Sequence, residues 1–143
     1  MVCGKIVTFS NQWMPASRRT HPSVSRQQLV LILSHDAVAA ALLGALVETL
    51  GCEVHFGRPP ELPEDSVRRV RPRICLVDCN DPRSCRTEFL GRATMRGLTV
   101  VIYGTAKALE RLRAAAIEQD IQTLIVPPTV EAFKLVLQKA SND

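Results

Sequence analysis

The residues able to do chemistry stand where apolar runs stop. In CLVDCNDP, residues 75–82, a hydrophobic run ends at Asp78, and Asn80, Asp81 and Pro82 follow as a turn. A carboxylate at the end of a buried run is either a reactive group or a polar end that accepts hydrogen bonds from the loop beyond it. Other runs end at Ser34 and His35, with Asp36 next, at Phe56 and Gly57, at Thr105, and at Pro127 with Pro128. The five cysteines are Cys3, Cys52, Cys75, Cys79 and Cys85. Cys75 lies inside an apolar run and suits a core. No histidine follows Cys75 and Cys79 at zinc spacing, so no zinc site is expected. The first run opens into LSHDAV rather than a glycine-rich phosphate loop, and no Ser/His/Asp set has hydrolase spacing. The chain is not expected to be an enzyme.

The elements that would position these residues alternate regularly. LVLIL (29–33), CEVHF (52–56), RICLVD (73–78), LTVVIYG (98–104) and IQTLIV (121–126) are short apolar runs, as strands covered on both faces would be. Helical stretches follow them at 35–51, 82–96, 106–120 and 130–140, with a turn and short helix at 59–72. In the first helix Val38, Leu42, Leu46 and Leu50 recur every fourth position and predict a core-facing stripe. Asp36 suits the start of that helix and Gly51 its end. The 106–120 stretch, rich in alanine, predicts one continuous helix. Phe133, Val136 and Leu137 share one side of the last helix. Strand followed by helix, five times, implies a parallel sheet between two helical layers. Ligands and chemistry in such folds gather at the carboxyl ends of the strands.

At 143 residues the chain suits one domain, and with 4% aromatic residues its core must be built of Val, Leu, Ile and Ala. The net charge of +4 is accounted for by Lys5, Arg18, Arg19 and Arg26 in a stretch without acids, so residues 27–143 are neutral. Residues 1–26 read as a basic arm or linker, with KIVTF able to form a strand and Trp13 a candidate docking residue; residues 27–143 read as the domain. A neutral body makes a nucleic-acid partner unexpected. One local exception is the span 68–96, where eight arginines face three acids, Asp78, Asp81 and Glu88. With no leader ahead of the body and no apolar helix long enough for a bilayer, a cytoplasmic protein without membrane contact is expected.

In order and spacing these stations resemble the receiver domain of two-component response regulators, over about residues 27–141. That family carries an acidic pair after the first strand, a phosphorylated aspartate in D-x-x-x-P after the third, Thr or Ser before Ala after the fourth, and Lys-Pro after the fifth. Here the third strand runs into Asp78-Cys-Asn-Asp-Pro82, the fourth ends in Thr105-Ala106, and the fifth in Pro127-Pro128. The resemblance implies a three-layer α/β sandwich, with a five-stranded parallel sheet of order 2-1-3-4-5 as in receivers and flavodoxin. It makes Asp78 the candidate phosphoacceptor and Thr105 a phosphoryl contact.

The departures decide the expected function. The acidic pair falls on Ser34 and His35, so a magnesium cage loses two anionic oxygens. Asp36, one residue late, is the candidate rescue ligand. The lysine position falls on Pro127, which offers no donor. The aromatic switch position on the fifth strand falls on Leu124. No cofactor is therefore expected beyond at most weak magnesium binding. His35 is either a replacement ligand or salt partner of Asp78, or an ordinary loop residue. The leading reading is a pseudo-receiver, a signalling module that acts by protein contact without efficient aspartyl phosphorylation. The alternatives are a working phosphoacceptor in a phosphorelay, through Asp78, and a small nucleic-acid or nucleotide-binding protein of the same fold class. The resemblance implies a sensor kinase or an output protein as partner. It also suggests a homodimer through residues 106–140, where Lys107, Glu110, Arg111, Arg113, Glu131, Lys134 and Lys139 offer mixed charge.

Overall fold

Alternate residues of a strand face opposite ways, and in the three central strands both directions are buried. The computed structural model describes residues 28–142. Its strands are Leu29–Leu33 (β1), Glu53–Phe56 (β2), Ile74–Asp78 (β3), Thr99–Gly104 (β4) and Gln122–Ile125 (β5). They form one parallel sheet in the order β2-β1-β3-β4-β5, as the alternation and the resemblance predicted. The helices are Ala37–Thr49 (α1), Pro63–Val70 (α2), Thr87–Met95 (α3), Ala106–Glu110 (α4), Arg113–Glu118 (α5) and Val130–Asn142 (α6). Leu31, Leu33, Cys75, Val77, Val100 and Ile102 face one layer, where α2 to α5 contribute Val70, Phe89, Leu90, Leu109 and Ala116. Val30, Ile32, Ile74, Leu76, Val101 and Tyr103 face the other, where α1 and α6 contribute Leu43, Val47, Phe133 and Leu137. The arm of residues 1–26, with KIVTF and Trp13, lies outside the described residues. No helix among the described residues is long and apolar enough to cross a membrane.

Two local expectations are corrected. The four-residue stripe on α1 is not the buried face: Val38 and Leu42 are 70% and 65% exposed, and Ala40, Leu43, Gly44 and Val47 are buried instead. A spacing of four overshoots the 3.6-residue turn and drifts around the helix, so only Leu46 and Leu50 reach the core margin. The 106–120 helix is two. At the junction Leu112 N donates to Leu109 O, three residues back, and α5 restarts without a side-chain cap. The tightened turn breaks the α ladder despite favourable propensity.

These placements give opposite outcomes for neighbouring leucines. Leu43→Ala is expected to cost about 2–5 kcal/mol, and Leu42→Ala to stay within about 0.5 kcal/mol of the parent. Urea unfolding of both variants measures the difference; equal losses would restore the discarded stripe.

Candidate functional site

Every residue of β3 is buried, Asp78 included at 6% exposure. A carboxylate there requires donors, because desolvating an unpaired charge costs several kcal/mol. Two are in place. The Ser34 hydroxyl donates to Oδ2 at 2.9 Å, and the Asn80 N–H donates to Oδ1 at 2.9 Å. His35 Nδ1 stands 3.4 Å from Oδ2 on a side chain 58% exposed; it forms an ion pair when the ring is protonated. Sheet register explains the arrangement. Leu33 pairs with Val77, which brings the next residues, Ser34 and Asp78, side by side; on the other flank Asp78 pairs with Tyr103, and Tyr103 with Leu124.

The remaining predicted residues have other engagements. Asp36 is the N-cap of α1, its Oδ1 accepting from Val38 N at 3.0 Å and Ala39 N at 3.2 Å. Thr105 caps α4 by accepting from Ala108 N at 3.2 Å, and its side chain makes no hydrogen bond to Asp78. Pro127 is exposed beyond β5, and Leu124 is buried among the residues packed on α6. The structure thus brings Ser34, His35 and Asp78 together, while Asp36, Thr105 and Pro127 border the same end of the sheet.

Sequence reading expected loop donors to Asp78 without naming the residue, and it did not assign Tyr103, Lys107 or Arg111 to the site. Asn80 supplies a backbone donor, and the Asp-x-Asn turn was its available signal. Tyr103 lies beside Asp78 in register, with its hydroxyl buried and unbonded. Burial raises the phenol pKa, partly offset by the nearby Ser34 hydroxyl and reinforced by the Asp78 charge. Lys107 and Arg111 line an open groove of about 570 Å³ beside Asn80 and Thr105; only the folding of α4 back over the strand ends reveals them.

The strand ends offer one carboxylate, one hydroxyl and one imidazole. Asp36 caps a helix, and Asp81 accepts from Arg83 N at 3.1 Å and from Ser84 Oγ at 2.8 Å. Among the described residues no group of three or more His, Cys, Asp or Glu side chains could hold a metal ion.

No family model matches the sequence, and no curated protein matches it. Solved structures do. The fold is that of a response-regulator receiver domain. A response regulator from Chloroflexus aurantiacus superposes with a TM-score of 0.71 at 15% identity, covering 82% of this chain and 100% of its own. The receiver domain of an HD-domain protein from Pseudomonas fluorescens gives 0.69 at 19% identity, covering 84% and 90%. A pilus-assembly-related protein from Burkholderia pseudomallei gives 0.63 at 23% identity, covering 81% and 90%. What these share with the present chain is the scaffold.

The loops around the site are tied by Glu61. Its carboxylate accepts from Arg69 Nε and Nη2, both at 2.9 Å, from Ser66 Oγ at 2.7 Å and from Arg58 N at 3.3 Å. Arg69 first, then Ser66, hold its pKa at about 2 against an ordinary 4.5. Between those values the folded protein binds fewer protons than the unfolded chain. The stabilisation is therefore complete above pH 4.5 and lost as the pH falls towards 2. Glu61→Gln should flatten the acid limb of a stability–pH curve in that window; an unchanged limb would show that Glu61 is not bound this way. On the other side of Asp78, a methyl group at Gly104 would overlap Cys79 Sγ. Gly104→Ala should cost about 1–3 kcal/mol, and adding Cys79→Ala should recover most of it. A double-mutant cycle without coupling would contradict the contact.

Proposed function

We propose that this protein is a receiver-like signalling module that works by protein contact and is not efficiently phosphorylated on Asp78. The observation that carries the reading is the environment of the carboxylate. Asp78 is held by a hydroxyl and a backbone N–H, with the His35 imidazole adjacent. Phosphoryl transfer depends on cations that neutralise developing charge. Here the anionic cage is replaced by Ser34 and His35, and Pro127 supplies neither charge nor donor. Losing one transition-state donor costs about 2.7–4 kcal/mol, roughly 100- to 1000-fold in rate. His35 Nδ1 lies 3.4 Å from Asp78 Oδ2, so an imidazole occupies the approach to the carboxylate, which suits a module fixed in one state. The contact surface fits the α4–α5–β5 side, where Ile117 and Ile125 are exposed beside Lys107, Glu110 and Arg113. A sensor kinase, an output protein or a second copy would meet this chain there.

One observation favours the phosphoacceptor reading instead. Lys107 and Arg111 line the groove next to Asn80 and Thr105, and either cation can substitute for the missing lysine. The deciding experiment is intact-mass analysis after incubation with acetyl phosphate and magnesium, for the parent and for Asp78→Ala. Negligible label in both is expected. Stoichiometric label that disappears in Asp78→Ala would overturn the proposal, and Arg111→Gln would then test the substitute cation.

A further inference from the structure

The fold sorts the arginines between 68 and 96 by use. Arg69 grips Glu61 and also donates to Phe56 O at 3.1 Å. Arg83 donates to Glu61 O at 2.6 Å and Pro60 O at 3.1 Å, and Arg86 to Glu64 Oε2 at 2.8 Å. Arg83 and Arg86 lash the segment before α3 to α2 and the loop ahead of it, and Arg69 ties α2 to that same loop. Arg71, Arg73 and Arg96 do nothing of the kind. They are exposed, and among the described residues their guanidinium groups make no hydrogen bond or ion pair. With Arg68, which pairs with Asp65 at 2.6 Å, they line one groove of about 530 Å³ over Val67 and Leu98, and no acid lines it.

This groove is at the amino end of the sheet, away from Asp78. Arg73 leads into β3, its N–H donating to Leu29 O and its carbonyl accepting from Thr99 N. Arg71 and Arg96 are the C-cap residues of α2 and α3, where helix-end carbonyls favour positive charge. Arg71 adopts a left-handed backbone (φ 54°) that glycine would take without strain. The described chain enters β1 at this same end, where Leu29 O accepts from Arg73 N–H. The neutral body thus conceals a segregated cluster of cations.

We propose that this groove is a sequence-independent binding site for a nucleic-acid backbone. Guanidinium forks match phosphate oxygens bidentately. Exposed guanidiniums gain little from a single small anion through screened solvent. A polymer of phosphates adds counterion release, which grows with each phosphate neutralised. No aromatic side chain lines the groove, so bases have no stacking platform and sequence is not read. Its apolar residues lie half-buried or buried beneath the arginines and leave nothing to insert into a bilayer.

The test is anisotropy of a labelled DNA duplex titrated with the full-length chain across a salt series. Each neutralised phosphate contributes a slope of about −0.9 to log affinity against log salt. The triple variant Arg71→Gln/Arg73→Gln/Arg96→Gln should make the slope shallower by about 0.9 per arginine removed. Arg71→Gly alone removes one charge while relieving the backbone, so its loss of slope cannot come from unfolding. The control Arg113→Gln/Lys134→Gln/Lys139→Gln removes equal charge elsewhere and should leave the slope unchanged. The proposal is overturned by no duplex binding at low salt, by an unaltered slope in the triple variant, or by an equal change in the control. Binding to vesicles of anionic phospholipid without binding to the duplex would also overturn it, in favour of a membrane surface.

Discussion

A carboxylate closes a strand that is buried at every position, and the rest of this molecule's upper end is arranged around that fact. β3 lies at the centre of the sheet, and Asp78 is buried there at its carboxyl end. It must be met by donors fixed to neighbouring elements. Ser34 comes from the end of β1, Asn80 from the turn that follows β3, and His35 from the approach to α1. The two loops that border them are held by the Glu61–Arg69 fork and by Asp81 with Ser84. The receiver fold supplies the crevice. In this chain the crevice holds a hydroxyl, an N–H and an imidazole around the Asp78 carboxylate, on a scaffold shared with solved structures at 15–23% identity.

Much of this was legible in the sequence because burial on both faces of a parallel sheet leaves an unmistakable mark. LVLIL and ICLV carry no polar residue on either face until they stop, and the stops at Ser34 and Asp78 are neighbours in register. Interactions set by three-dimensional proximity were not legible. The helix after β1 is apolar all round, and spacing alone selected Val38 and Leu42 over Ala40, Leu43 and Val47. Alanine-rich composition hid the break after Glu110. Register places Tyr103 beside Asp78, two residues before Thr105, which sequence alone did not single out. The arginines of 68–96 formed one cluster in sequence and two in space, because some point to loop carbonyls and Glu61 while others lie beyond the far ends of the strands.

The apolar outer surface of α1 has a consequence for how the fold is specified. Glu48 is the helix's one charged residue, so hydrophobicity scarcely distinguishes one rotational phase from another. Discrimination falls to two small features. Asp36 anchors the first turn through Val38 N and Ala39 N, and Gly44 leaves the space that the Phe56 ring enters, where a Cβ would come within 2.8 Å. Stability and uniqueness are therefore supplied by different residues: the leucines and valines give the first, a cap and a missing methyl group the second. A substitution at Asp36, made to probe chemistry at the strand ends, would act first on the registry of a helix whose face is chosen by so little else.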